Sequence, residues 1–332
     1  MKQRNLKYDF IKSIAILGVI LGHSLSLVLT RRAEMQLLAD YLTVVFRVVV
    51  PAFLFVSGIL HKKGLNFGQI LMRIKRILSP YVFFAIVMTI IYIALGDKTF
   101  LSKYIFRFIS CEVHPVYYYV FVMIECLFIA FVCEKIWGYR EMLIPLYLVV
   151  LIYSIISANF SKEILCALNI SNNMVDFITY RNPFLWMHYY LLGMIFKEYN
   201  LERFIVSNKY VVRILYVCLV LTYMVFRYFN IGDLDGLNSV ITMIVCLSGI
   251  MMLLTIDVSS EKWMYLSSKS YTIYLAHVPF YYFVSLLWDK YTGFSIPVMV
   301  VSNIVILGGG AMLVCILGKK LLKNKSYYFI GS

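Results

Sequence analysis

Residues Phe10 to Thr30 read FIKSIAILGVILGHSLSLVLT, an apolar run long enough to cross a bilayer as one helix. Lys12 stands near its start and His23 beyond its middle. At about 100° and 1.5 Å per residue, Asp9, Lys12 and His23 share one stripe, with Lys12 and His23 about 16 Å apart along it. Ionisable side chains are costly in lipid, so the stripe is predicted to line a polar cavity that has a function. The alternative is a structural histidine that a neighbouring helix satisfies.

The composition places the whole chain in a membrane. Of its 332 residues, 62% are hydrophobic and 14% are charged, whereas soluble domains are about half apolar and a quarter charged. The apolar runs predict an all-α polytopic protein with about ten transmembrane helices, forming a single membrane-embedded domain over residues 1–332 without a separate soluble domain. The predicted spans are 10–30, 41–60, 77–95, 116–134, 142–158, 183–196, 210–229, 238–256, 270–288 and 296–318.

The basic residues follow this topology. Twenty of the 31 Lys and Arg residues fall on one side of the predicted bundle and eight on the other. By the positive-inside rule the richer side, which carries both termini, is cytoplasmic. The net charge of +14 is therefore explained by membrane topology and contact with membrane lipids, and nucleic acid is not an expected partner.

Several other ionisable residues fall within the predicted spans. They are Arg47, Glu125, His188, Arg227 and His277. Buried charge is tolerated when it is paired or hydrated, so these side chains are predicted to face a shared interior cavity. No metal site is predicted, because the five histidines lie in separate segments without ligand spacing.

Two short patterns stand out after the first span. Pro51 and the pair Ser57-Gly58 lie inside the second span, which predicts a kink or a close approach of two helices. Arg73 and Arg76 are three residues apart, so they present their guanidinium groups on one side of a helical turn, an arrangement suited to polyphosphate. The alternative for this pair is a topological anchor that contacts anionic lipid.

Four stretches share their order and pattern with one family of membrane enzymes. They are Tyr8 to Leu17 followed by Gly22-His23-Ser24, Val50 to Leu60, Arg73 to Tyr81, and Ser270 to Pro279. Together they resemble the acyltransferase-3 family of membrane O-acyltransferases, particularly its sugar O-acetyltransferase branch. The chain departs from the family pattern at Ile11-Lys12, where Leu-Arg is usual, and at Arg47, where sugar-acetylating members often have histidine.

The resemblance implies a ten-helix domain that moves an acyl group, usually acetyl from cytosolic acetyl-CoA, to a hydroxyl of a cell-envelope or exported glycan. It implies a multi-pass protein of the bacterial cytoplasmic membrane in which His23 is essential. It also implies that the segment from Arg73 to Arg76 handles the CoA. We therefore expect the CoA phosphates on Arg73, Lys75 and Arg76, with Lys12 next along the route to His23.

The remaining roles are hypotheses about a shared site. His23 is expected to act as a general base, with a covalent acyl-histidine as the second possibility. Arg47 is expected to stabilise the oxyanion, and Asp9 to pair with Lys12. Glu125 is expected to orient a histidine or to counter Arg47. The expected substrate contacts are Arg181, His188 and His277.

A transporter is the competing class of protein. Buried Arg, Glu and His also suit the pathway of a polysaccharide or lipid-linked glycan that is moved without chemical change. Consumption of the thioester distinguishes the two, because only the enzyme turns over acetyl-CoA.

Overall fold

The computed structural model describes residues 5–29, 31, 35–96, 104–167, 181–229, 231, 239–291, 293–323 and 326–331. Within these ranges the fold is all helical. The α-helices are α1 (Leu6–Leu29), α2 (Gln36–Arg47), α3 (Val49–Ile59), α4 (Phe67–Ala94), α5 (Tyr104–Ile109), α6 (Tyr118–Trp137), α7 (Tyr139–Ala167), α8 (Met187–Glu198), α9 (Glu202–Ser207), α10 (Lys209–Tyr228), α11 (Val240–Leu254), α12 (Lys262–Lys290), α13 (Ile296–Ile304), α14 (Gly310–Leu322) and α15 (Ser326–Phe329). Short 3-10 turns precede α6 and α8, and a π-helical segment, Val305–Gly309, joins α13 to α14.

Six helical segments of the described ranges are long and apolar enough to cross a membrane, which makes the chain a multi-pass membrane protein. They are Leu6–Leu29, Phe67–Ala94, Pro115–Trp137, Tyr139–Ser157, Lys209–Tyr228 and Ile296–Leu322, with shorter apolar helical segments at Val44–Ile59 and Val240–Leu254. Every predicted span falls on one or more helical segments within the described residues, but the count of ten spans and the cytoplasmic termini stay predictions. The two spans outside this set are α8, which has only 12 residues, and α12, whose first turns are polar.

Ion pairs join four of the segments predicted on one side of the bundle. Lys7 Nζ is 2.9 Å from Glu202 Oε1, which ties the N-terminus to the start of α9. Glu198, at the end of α8, pairs with Lys63 and with Arg140, whose Nε lies 2.5 Å from the carboxylate. We call this end of the bundle the N-terminal side.

α1 lies at the centre of the bundle, packed against α2, α3, α12 and α13. Near the far end of α1, buried Asn303 connects three helices. Its Oδ1 accepts from Trp288 Nε1 at 2.7 Å, and its Nδ2 donates to the Ser24 carbonyl at 3.0 Å. A buried amide with both ends bonded holds its surroundings in one arrangement. The turn of α1 that carries His23 is therefore fixed from two neighbouring helices.

The predicted second span is broken into α2 and α3 at Val48. Pro51 explains the break, because it lacks the N–H that would bond the Arg47 carbonyl, and its ring clashes with that carbonyl. Helical bonding resumes one residue later, where Ala52 N donates to Val48 O at 2.9 Å. The kink places Arg47 at the end of a helix beside α1.

The same segment makes a close approach to α8. A Cβ added to Gly58 would lie 1.9 Å from the Tyr190 carbonyl oxygen, and one added to Gly193 would lie 2.0 Å from the Phe55 carbonyl oxygen. α3 and α8 therefore touch backbone to backbone, a contact that only small residues permit in membranes. The prediction of a close approach at Ser57-Gly58 is confirmed.

Pro279 lies inside the continuous helix α12, and a tyrosine compensates for the backbone hydrogen bond that it removes. The proline removes the N–H that would bond the Leu275 carbonyl four residues earlier. That carbonyl instead accepts from the hydroxyl of Tyr117, at 3.1 Å, and the Tyr117 side chain is fully buried. The Leu275 carbonyl is thus satisfied by a residue of the 3-10 turn before α6.

Replacing Tyr117 with phenylalanine is expected to lower the free energy of unfolding by about 1–3 kcal/mol, because the buried Leu275 carbonyl loses its donor. In a Pro279→Ala background the cost is expected to shrink, since the restored backbone N–H bonds the same carbonyl. Thermal unfolding of the four proteins in detergent measures both costs. If Tyr117→Phe lowers the free energy of unfolding equally in both backgrounds, the hydroxyl does not compensate for Pro279 and this explanation is wrong.

Candidate functional site

A cavity of about 540 Å³ lies beside α1 at the level of His23. This volume falls in the range of about 300–1,000 Å³ that holds small ligands. Its walls come from α1, α2, α3, α12, the 3-10 turn before α6 and the segment before α8, and we call it the central cavity. Most of the wall is apolar, so the few ionisable groups that face it dominate its chemistry.

The central cavity brings together three residues singled out from the sequence. His23, Arg47 and Arg181 all line it, although they come from α1, α2 and the segment before α8. Arg47 arrives there because of the break at Val48. Of the residues predicted to face one interior cavity, His23 and Arg47 line the central cavity, whereas Glu125, His188 and His277 do not. Arg181 lies outside the predicted spans.

His23 faces the central cavity among other aromatic rings. Its ring centroid lies 5.1 Å from that of Tyr281, edge to face, and 5.3 Å from that of His277. Within the described part of the chain its imidazole forms no hydrogen bond to another residue. The functional role of His23 stays a prediction.

His277 lies behind His23 and does not line the central cavity. Its Nδ1 is 3.3 Å from the Ile273 carbonyl oxygen, which only accepts hydrogen bonds, so Nδ1 carries the hydrogen. Its Nε2 is buried without a partner among the described residues. The expected direct contact between His277 and substrate therefore stays a prediction, and the observed contact is with the His23 ring.

Arg47 is held at the cavity wall from two other helices. Its Nη1 donates to Tyr223 Oη on α10 and to Thr242 Oγ1 on α11, both at 3.2 Å. The guanidinium also lies 5.9 Å from the centre of the Tyr223 ring. These contacts fix a positive charge at the wall of the central cavity.

Arg181 and two rings form another part of the wall. Arg181 is buried and lies 3.4 Å from Glu112, which partly balances its charge. The Tyr118 and Trp186 rings are 5.4 Å apart, and both line the central cavity. Neighbouring Tyr117 and Tyr119 are buried in the core instead.

Asp9 and Lys12 lie on α1 toward the N-terminal side. Asp9 is buried and accepts a hydrogen bond from Ser267 Oγ at 2.5 Å, which links α1 to α12. Lys12 is half-buried on the same stripe as His23. The pairing of Asp9 with Lys12 stays a prediction.

The three basic residues expected to hold CoA phosphates do not share one face of α4. Arg73 is half-buried and lies close enough to His61 and Tyr190 to act on them electrostatically. Two residues correspond to about 200° of helix, so Lys75 lies on the opposite face, in a separate apolar groove. Arg76 is exposed and lies about 60° from Arg73.

Behind Arg73 stands a buried polar cluster. The Tyr190 hydroxyl is 2.7 Å from His61 Nδ1, and Glu134 Oε2 is 3.5 Å from His61 Nε2. Burial lowers the pKa of His61 below its ordinary value, so the ring is neutral, and its tautomer sets which group donates in the contact with Tyr190. Lys197 also contacts this cluster, because its Nζ donates a hydrogen bond to the His61 carbonyl at 2.5 Å.

Glu125 and His188 lie outside the central cavity. Glu125 Oε2 is buried without a partner, and within the described ranges its carboxylate pairs with neither a histidine nor Arg47. His188 is fully buried, with Nδ1 3.3 Å from Ser154 Oγ, which itself donates to the Phe184 carbonyl at 2.8 Å. Their catalytic and substrate roles stay predictions.

Residues that the sequence did not single out complete the surroundings of His23. His114 packs against Tyr281 at 5.7 Å, and its Nδ1 accepts from Val116 N at 3.3 Å, capping the 3-10 turn. A histidine directly before Pro115 at the start of a span is the only signal that pointed to it. Among the described residues, no three His, Cys, Asp or Glu side chains are grouped to hold a metal ion.

Comparison with known families adds one finding. A family model described as an acyltransferase domain, that of the acyltransferase-3 family, matches residues 5–319, nearly the whole chain. Searches of curated proteins and of solved structures find no significant match.

Proposed function

We propose that this chain, which belongs to the acyltransferase-3 family, moves an acyl group from acyl-CoA to a hydroxyl of a glycan bound in the central cavity. Acetyl is the proposed group and acetyl-CoA the proposed donor. The observation that carries the proposal is the convergence of His23 and two arginines on one cavity of ligand size.

His23 is the proposed general base. The acceptor hydroxyl attacks the thioester carbonyl while His23 takes the hydroxyl proton. The carbon–sulfur bond of the tetrahedral intermediate then breaks, and the imidazolium returns the proton to the CoA thiolate. No proton is gained or lost overall, so one imidazole suffices. The second route, in which His23 itself carries the acyl group, uses the same cavity position.

Arg47 supports this chemistry by its fixed charge. Negative charge develops on the carbonyl oxygen as the tetrahedral intermediate forms, and a preorganised cation stabilises it without reorganisation. The two hydrogen bonds from Nη1 hold the guanidinium at the cavity wall before the substrate arrives. Arginine suits this place because it stays charged at every working pH.

The donor is proposed to approach from the N-terminal side. Arg73 and Arg76 are proposed to bind the CoA phosphates there through their guanidinium groups, with half-buried Lys12 next along the route to His23. The separation of about 16 Å between Lys12 and His23 matches an extended pantetheine arm.

The acceptor is proposed to lie against the opposite part of the central cavity. The rings of Tyr118 and Trp186 offer flat apolar faces on which a sugar ring stacks, and Arg181 offers hydrogen-bond donors for its hydroxyl groups. This combination of stacked rings and a fixed arginine supports a glycan as the acceptor class.

Turnover of acetyl-CoA by the purified protein tests the proposal. The protein in detergent or nanodiscs is expected to release free CoA from acetyl-CoA, slowly with water and faster with an added glycan mixture from the cell envelope. A thiol-reactive dye that leaves acetyl-CoA unchanged measures the release. Absence of both CoA binding and CoA release would contradict the proposal and favour the transporter.

A further inference from the structure

A second groove lies on the outside of the bundle, away from the central cavity. It has a volume of about 570 Å³ and is formed by one face of α4 and by α15. We call it the lateral groove; its walls include Leu71, Lys75, Val82, Phe83, Ile86 and Phe329. Among the lining residues that the structure describes, Lys75 is the only charged one.

The lateral groove runs along the membrane-facing side of α4. Leu71 is 55% exposed and Ile86 is 46% exposed within the protein, so lipid or another apolar group covers them in a membrane. Lys75 stands two residues before the predicted span 77–95, at the level of the lipid headgroups. From Lys75 to Ile86 the helix rises about 16 Å, roughly half of a hydrocarbon core of about 30 Å. The groove therefore has the length of one leaflet.

The far wall of the lateral groove is built by the end of the chain. The Phe329 ring packs edge to face on Phe83, with centroids 6.1 Å apart. Buried Ile330 inserts against Gly318 of α14, and Gly331 lies against Pro80 of α4. Residues 329–331 thus pack against α4 and α14, so the wall that they add to the lateral groove is held in place by tertiary contacts.

The charged residues around the lateral groove indicate which kind of molecule binds in it. Lys75 lies at the headgroup end, and no acidic residue within the described ranges lines the groove. Three exposed lysines, Lys319, Lys320 and Lys323, lie at the end of α14, from which α15 turns back onto α4. Basic residues at the membrane surface attract anionic lipid headgroups.

We propose that the lateral groove binds one anionic phospholipid, with its phosphate at Lys75 and an acyl chain along Val82 and Ile86. Lys75 then serves this site and not the CoA phosphates, which leaves Arg73 and Arg76 for the donor. The assignment does not depend on the proposed function, because it concerns a surface on the opposite face of α4.

Lipid retention tests this proposal. The full chain is reconstituted in nanodiscs of equal parts phosphatidylcholine and phosphatidylglycerol, released into mild detergent, and its retained lipids are weighed by native mass spectrometry. The wild type is expected to retain phosphatidylglycerol in preference to phosphatidylcholine. Lys75→Gln is expected to lower this preference about fivefold, the effect of one basic residue near the surface. Val82→Trp, which fills the groove, is expected to lower the total retained lipid.

Two matched variants serve as controls. Lys62→Gln removes an exposed lysine of the loop before α4, and Ile90→Trp adds a ring on α4 at a lipid-facing residue beyond the groove. Both are expected to retain lipid as the wild type does, and thermal unfolding checks that all four variants are folded. If Lys75→Gln keeps the wild-type preference, or Val82→Trp keeps the wild-type amount, the retained lipid is not held in the groove and the proposal is wrong. Acetyl-CoA turnover is measured separately, so failure of the lipid proposal and failure of the proposed acyltransferase function can be distinguished.

Discussion

Replacing His23 with glutamine is expected to lower the turnover of acetyl-CoA by two to four orders of magnitude, the usual contribution of a positioned general base. Glutamine keeps a polar side chain of similar size in the central cavity but accepts no proton near neutral pH. Binding of CoA is expected to change little, because the proposed phosphate contacts lie on α4. Release of free CoA measures the first effect and equilibrium binding of CoA the second.

Chemical rescue separates lost chemistry from lost structure. His23→Ala enlarges a cavity of about 540 Å³, which leaves room for free imidazole. Added imidazole is expected to restore part of the turnover of this variant and to leave the wild type unchanged. Full activity of His23→Gln would show that His23 is not the general base. An acetyl group found on His23 by mass spectrometry in the absence of acceptor would favour the covalent acyl-histidine mechanism.

Replacing Gly193 or Gly58 with alanine is expected to destabilise the fold by more than about 4 kcal/mol, or to prevent folding. Each new methyl group would meet a carbonyl oxygen of the facing helix within about 2 Å, and backbone atoms cannot turn aside as a side chain does. α3 also carries part of the wall of the central cavity, so separating α3 from α8 would displace that wall.

The cysteines of this chain supply the measurement. Cys126, Cys246 and Cys315 are buried and free, so a thiol-reactive dye reports their exposure as the protein is heated in detergent. Gly309→Ala is the matched control, because a methyl group there meets nothing within 4 Å. We expect the control to unfold at the wild-type temperature. Wild-type behaviour of Gly193→Ala would show that the backbone contact of α3 and α8 is not essential.

The all-helical class was predicted correctly because lipid leaves few choices to the backbone. Each apolar run must satisfy its own N–H and C=O groups, and a helix does so within the segment. Proline was equally informative, since Pro51 alone accounts for the break that sets Arg47 beside α1. The family resemblance, based on four short motifs, is confirmed by the match over residues 5–319.

The grouping of basic residues shows where sequence reasoning stopped. Arg73, Lys75 and Arg76 read as one cluster, yet helical geometry sets Lys75 about 200° from Arg73. Which of the two faces points inward depends on what packs against α4, and that includes the chain end at Phe329. The sequence shows which residues are charged, but it does not show what packs against each face of α4.

The sequence analysis did not identify the residues around His23, because their contacts with it also depend on tertiary packing. Tyr281, His114 and Asn303 lie far from His23 in the sequence, and each resembles an ordinary residue of a membrane helix or loop. Their importance comes from contact, since Tyr281 and His114 pack in one cluster of rings and Asn303 bonds the carbonyl of Ser24. Such contacts form only when three or more helices meet.

The sequence by itself determined that this chain crosses a membrane as helices, that α1 carries an ionisable stripe, and that glycine and proline shape its second span. These properties follow from local preferences and from the cost of polar groups in lipid, which act on each segment alone. Only the tertiary structure decided that His23, Arg47 and Arg181 share one cavity, that His277 stands behind His23, and that Lys75 faces outward. Those facts depend on how helices distant in sequence rotate and pack against each other, and that arrangement minimises the free energy of the whole bundle rather than of any one segment.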